Sequence, residues 1–175
     1  MITVILMVRK AGSTGRKVRV HNLIGKLPVH PVKEYERRQP EAIDQVIIHH
    51  SATTTGTPEA YARYHVDERG WPGIGYHFVI QKNGTVYQTN RLDTVSYHAS
   101  GQNHRSVGIC LTGNYDKELP PKPQQQATVR LIQRINDELG KPLRIAGHNA
   151  YAEKSCPGTN VSVEAINQSV YGIAV

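Results

Sequence analysis

The sequence predicts a mixed α/β domain, a central β-sheet flanked by helices, and three observations carry that expectation. From Val46 onward, short apolar runs alternate with stretches of helical periodicity. Asn83-Gly84 lies between two strand-like runs, a strong hairpin signal because both residue types tolerate positive φ. Gln124 to Leu139 places Thr128, Leu131, Ile132, Ile135 and Leu139 at helical spacing, and Gly140 follows where a left-handed cap belongs.

Taken in order, Met1 to Val8 is a short apolar run followed by Arg9-Lys10, the reverse of the charge order in a secretory signal. It is expected as a strand, with Lys17 to Val20 returning as its hairpin partner. Pro28, Pro31 and Pro40 punctuate a charged, extended connector that reaches Asp44. Val46-Ile47-Ile48-His49-His50 is expected as a buried strand. Thr57-Pro58 opens a helix with Thr57 as N-cap, and Ala60, Tyr61, Tyr64 and His65 are expected on its packing face. Tyr76 to Ile80 and Thr85 to Gln88 form the hairpin arms. Val107 to Leu111 is a further apolar strand, Arg144 to Ala146 a short one, and Val161 to Val170 a closing helix with Val163, Ile166 and Val170 inward.

Composition narrows the classes. A chain of 175 residues suits one domain with its own core, and two cysteines cannot form a disulfide framework. No apolar run has the roughly 18 residues a membrane helix needs. The net charge of +7 points to an acidic partner such as nucleic acid, anionic lipid or a carboxylate- and phosphate-rich wall. Up to Asp44 there are nine cations against four acids; the rest of the chain has twelve against ten. The division expected is therefore a basic extension, 1–43, and a domain carrying the chemistry, 44–175.

Nine histidines exceed what packing needs. His49 and His50 are strand neighbours, so only one can face a given cleft. His148 follows a short strand and precedes Cys156 by eight residues, with Lys154 between them. Two imidazoles and a thiolate would make a three-ligand zinc site with an open fourth position, the catalytic pattern. Spacing alone leaves scattered core or surface histidines as the alternative.

Several sequence words go further. Val46-Ile47-Ile48-His49-His50-Ser51-Ala52-Thr53 is followed, in order, by Gly70-Trp71, Ile74-Gly75-Tyr76-His77-Phe78-Val79-Ile80 and Asn83-Gly84-Thr85-Val86. Then come His98-Ala99, Asn103-His104, Ser106-Val107-Gly108-Ile109-Cys110-Leu111, His148, and Lys154-Ser155-Cys156-Pro157-Gly158. This ordered set resembles the zinc-dependent N-acetylmuramoyl-L-alanine amidases of the amidase and peptidoglycan-recognition-protein superfamily, which includes small phage lysozyme-like amidases. The likeness runs from about Asp44 to the C-terminus and leaves the first 43 residues unassigned.

The resemblance implies one Zn2+ per chain held by His49, His148 and Cys156, with Tyr76 and Lys154 catalytic. His98, Asn103 and His77 are implied, less directly, as substrate contacts along a sugar–peptide groove, with loop scaffolding or strand packing as the alternative for each. Zinc chemistry supplies hydroxide at working pH. The bond implied is the amide joining N-acetylmuramic acid to L-alanine, with Lys154 stabilising the oxyanion and Tyr76 hydrogen-bonding the attacking water or the tetrahedral intermediate. The partner implied is bacterial peptidoglycan, with no specific nucleic acid and no membrane insertion, and the chain is expected as a monomer. The setting implied is a phage or prophage endolysin, made in the host cytoplasm without a signal peptide and acting at the cell wall. A non-catalytic peptidoglycan receptor and a cytoplasmic anhydro-muropeptide recycling amidase are the alternatives; recognition-only relatives lack the cysteine.

Overall fold

The computed structural model describes residues 18–172. The expected first hairpin arm, Met1 to Val8, lies outside them. Among the described residues, six strands form one sheet in the order β1-β4-β3-β5-β2-β6, made of β1 (Val20–Asn22), β2 (Gln45–His50), β3 (Phe78–Ile80), β4 (Val86–Gln88), β5 (Ser106–Leu111) and β6 (Arg144–Gly147). Only β3 and β4 pair antiparallel; every other neighbour is parallel, so the sheet is mixed. The central strands β2 and β5 are buried along their whole length, as strands covered on both faces are.

Strand parity sorts the two faces. Val46 and Ile48 of β2, with Val107, Ile109 and Leu111 of β5, face the main core, closed by Leu131, Ile132 and Ile135 of α2 (Lys122–Leu139) and Ile166 and Val170 of α3 (Val163–Tyr171). The opposite face carries Val79 and Cys110, packed with Ala62 of α1 (Pro58–Arg63) and Ile74, and with Tyr61 and Tyr76 at its margin. His49 belongs to this second face, one residue from Ile48.

The helix ends follow their sequence signals. Thr57 caps α1 by accepting from Ala60 N, Ser162 caps α3 by accepting from Ala165 N, and Gly140 ends α2 at φ 67°. The packing face of α1 differs from the expectation: Pro58, Ala62 and His65 are buried, whereas Ala60 and Tyr64 are exposed. The buried positions 58, 62 and 65 keep one helical stripe, turned so that Ala62 rather than Ala60 packs with Ile74, Val79 and Cys110, and a π-type turn, Tyr64–Glu68, extends the helix. The hairpin is a three-residue loop, Lys82-Asn83-Gly84, rather than a two-residue one. Only Gly84 takes positive φ (86°), its N–H bonding Gln81 O, while Asn83 Oδ1 accepts from Thr85 N.

The connector is part of the domain, not an appendage to it. β1 pairs with β4 in the common sheet, and the chain from 28 to 38 is laced over the loops beside the second face. His30 N bonds Pro72 O, Lys33 Nζ bonds Gly70 O at 2.6 Å, and Tyr35 Oη bonds Gly73 O at 2.8 Å. Arg38 is buried at 8% exposure and donates to three carbonyls, those of Leu92, Asn103 and Ser106, at 2.6–2.9 Å. Among the described residues, a boundary at 43/44 therefore cuts through one packed unit.

Candidate metal centre

The site forms at the carboxyl ends of the parallel strands β2 and β6, where open α/β sheets commonly place their ligands. Ile48 pairs with Gly147, so His49 and His148 stand one residue beyond the last matched pair, side by side on the second face. Their ring centroids are 4.6 Å apart. Cys156 comes from the loop after β6, which returns because Asn149 N bonds Cys156 O at 2.7 Å. Asp116 clamps the same loop from outside, accepting from Ser155 Oγ at 2.7 Å and from Thr159 N at 2.9 Å.

One donor atom from each of His49, His148 and Cys156 lies within 4.8 Å of the other two, and Cys156 Sγ is 3.8 Å from His49 Nδ1. Two imidazole nitrogens and a sulfur around a common point suit a tetrahedral, borderline-soft ion such as zinc, and suit magnesium or calcium poorly. Three protein donors leave one position for a water or a substrate oxygen. Burial and neighbouring positive charge hold His49 well on the neutral side and lower His148 in the same direction, towards the form in which imidazole ligates. Burial pushes the Cys156 thiol up to about 11, so metal uptake at neutral pH would release its proton.

Tyr76 lies at the edge of this cluster, its ring 5.4 Å from that of His49. Burial and the neighbouring thiols of Cys110 and Cys156 raise its phenol well above the usual range, so it remains a proton donor. Lys154 is exposed, and its charge reaches both histidines. Of the remaining sequence candidates, His98 and His77 are buried and Asn103 is half-buried. His98 is 6% exposed and His77 fully buried. His77 Nδ1 accepts from Gly108 N and its Nε2 meets Thr94 O, which fastens β3 to β5 and to the loop before it. Asn103 Oδ1 accepts from His98 N and Ala99 N, a loop closure. His50 faces the opposite side and accepts from Tyr115 N.

Sequence reasoning passed over Arg38, Asp116 and Ser106. A signal for Ser106 was present: β5 alternates Ser106, Gly108 and Cys110 against Val107, Ile109 and Leu111, a small or polar face unusual in a buried strand.

His65 gives the site wall a pH dependence. It is 7% exposed, stacks on Trp71 at 4.7 Å, and accepts a hydrogen bond from Gly75 N at 3.1 Å. Burial lowers its pKa from 6.5 to about 4. The unfolded chain therefore binds a proton below about pH 6.5 that the folded protein refuses until about pH 4. Its stabilising contribution is complete above pH 6.5 and is lost as pH falls towards 4, by about 2–3 kcal/mol. Urea midpoints are expected to drop between pH 7 and pH 4.5, and to drop less in His65→Phe; equal slopes would refute this assignment.

Comparison with known proteins agrees with this geometry. The family profile described as N-acetylmuramoyl-L-alanine amidase matches residues 39–159. The endolysin of Escherichia phage T7 is 34% identical over 130 residues, 69% of this chain and 83% of that protein. Among solved structures, the N-acetylmuramoyl-L-alanine amidase LysC from Clostridium intestinale URNW superposes with a TM-score of 0.71 at 26% identity, covering 89% of this chain and 99% of that one. Drosophila PGRP-LB superposes at 0.73 and 28% identity, covering 89% and 97%. Sequence words, sheet order and the His49–His148–Cys156 cluster all point one way: the chain belongs to the N-acetylmuramoyl-L-alanine amidase family.

Proposed function

We propose that this chain is a zinc-dependent peptidoglycan hydrolase that cleaves the amide between N-acetylmuramic acid and the L-alanine of the stem peptide, acting as a phage or prophage endolysin at the host cell wall. The observation that carries the reading is the convergence of His49, His148 and Cys156 with the Tyr76 phenol at their edge. A zinc ion bound there supplies Lewis acidity and a water activated at neutral pH. The chain's own groups do the rest. His49 and His148 stay neutral as ligands, and Cys156 gives up its proton to become one. Tyr76, held protonated, donates a hydrogen bond to the substrate oxygen as charge develops on it, and Lys154 adds a positive charge from the rim. The phage setting is supported by the endolysins of Escherichia phage T7 and Klebsiella phage KP32, the latter 33% identical over 131 residues.

The principal alternative is a receptor that holds peptidoglycan without cutting it, in the manner suggested by the peptidoglycan-recognition proteins among its relatives. Cys156 argues against it, since a binding groove has no use for a third metal donor. The distinguishing experiment is clearing of a suspension of purified sacculi by zinc-loaded protein. Clearing is expected for the wild type, and a fall of about 100- to 1000-fold in rate for Tyr76→Phe and for Lys154→Ala, the range for removing one transition-state donor. A suspension left turbid by wild-type protein would favour the receptor.

A further inference from the structure

We infer that His98 is a positioning residue that fixes the tautomer and orientation of the His49 ring, so that His49 presents a bare Nδ1 to the metal. The purpose rests on the zinc reading above; the geometry does not.

The proton positions are fixed from the far end of a hydrogen-bonded chain. Ser106 Oγ lies 2.7 Å from Gln102 O, and a carbonyl oxygen can only accept, so the single hydroxyl proton of Ser106 is committed to it. Ser106 Oγ lies 3.1 Å from His98 Nε2 and has no second proton to give, so it accepts there and His98 Nε2 carries the hydrogen. A neutral imidazole has one N–H, which leaves His98 Nδ1 as an acceptor. That atom is 3.0 Å from His49 Nε2, so His49 donates through Nε2 and its Nδ1 has no proton. Nδ1 is the atom 3.8 Å from Cys156 Sγ, on the metal side of the ring. A backbone carbonyl on the loop before β5 thus dictates, through a hydroxyl and an imidazole, which nitrogen of His49 is free to ligate.

The room for this relay is built into the sheet. His98 lies over Gly108 of β5, where a Cβ would come within 2.6 Å of its Cγ; the missing side chain is the slot the ring occupies. The base of the relay is fixed from below. Arg38 Nη1 donates to Ser106 O and Asn103 O, and Asn103 Oδ1 accepts from the backbone N–H of His98. Metal-bound histidines commonly have a carboxylate or a backbone carbonyl as this outer partner. A neutral imidazole orients His49 without adding negative charge, so it leaves the metal's acidity undiminished.

The experiment uses the full chain in its metal-free and zinc-loaded forms. The His49 ring tautomer is read by long-range 1H–15N NMR on metal-free protein, and zinc affinity by competition with a chromogenic chelator. Wild type is expected to show His49 protonated at Nε2. His98→Gln, whose amide can accept from His49 and donate to Ser106, is expected to keep that tautomer and stay within a few-fold in affinity. His98→Leu is expected to lose the preference and bind zinc about 10- to 100-fold more weakly. Ser106→Ala, which leaves the ring in place but frees its tautomer, is expected to shift His49 part of the way and so serves where His98→Leu does not fold. His49 still protonated at Nε2 in both His98→Leu and Ser106→Ala, or unchanged zinc affinity in both, would overturn the inference. Wild-type protein that binds no zinc would overturn the proposed function instead, while the metal-free tautomer would still decide the role of His98.

Discussion

Cys156→Ala is expected to bind zinc roughly 100- to 1000-fold more weakly and to lose measurable wall hydrolysis while keeping its fold. The affinity figure follows from free energies of about 10–16 kcal/mol for four-donor structural zinc sites, or about 2.5–4 kcal/mol for one donor. Cys156 is half-buried on a loop that Asp116 and the Asn149 N–H hold independently of the thiol, so the substitution removes a donor without removing an anchor. Metal content after gel filtration, with an unfolding midpoint measured on the metal-free protein, checks both halves. Full zinc occupancy in the variant would show that the sulfur is not a ligand.

Arg38→Leu is expected to produce the largest loss of stability of any single substitution in the connector. The guanidinium, lowered by burial to about 10 and so still charged at neutral pH, answers three carbonyls. Leucine would leave those acceptors without partners, at about 1–3 kcal/mol each before relaxation and water entry, for a net loss of about 3–5 kcal/mol. The urea midpoint should fall with little change in slope. A loss below about 1 kcal/mol would mean that water replaces the guanidinium freely. Deleting residues 1–43 removes Arg38 together with β1 and the Lys33 and Tyr35 contacts, so the truncated chain is expected to unfold rather than to persist as a smaller enzyme.

These two residues mark what was legible in the sequence. Cys156, His148 and His49 stand in local words whose order carried the resemblance, and the strand and helix around each follow from apolar runs, a Thr-Pro cap and a Gly C-cap. Arg38 stands in a stretch of charges and prolines that reads as solvated connector. Its burial depends on three carbonyls that lie 54 to 68 residues further along, and no local pattern encodes that meeting. His98 is an intermediate case. Its loop word carried the resemblance that suggested a substrate contact, but whether it faces substrate or the back of a ligand is set by the absent side chain of Gly108 and by the Gln102 carbonyl. The packing face of α1 was missed for a simpler reason: Ala60 and Ala62 are the same residue type in the sequence, and the approach of Ile74, Val79 and Cys110 is what selects Ala62.

The most direct test of the central claim is to digest purified peptidoglycan with zinc-loaded protein and identify the new chain ends. The structure predicts free amino groups on L-alanine, no new reducing sugar ends, and loss of those amino groups on chelation or in Cys156→Ala. New reducing ends, new amino groups on a different residue, or binding with no new ends at all would contradict it.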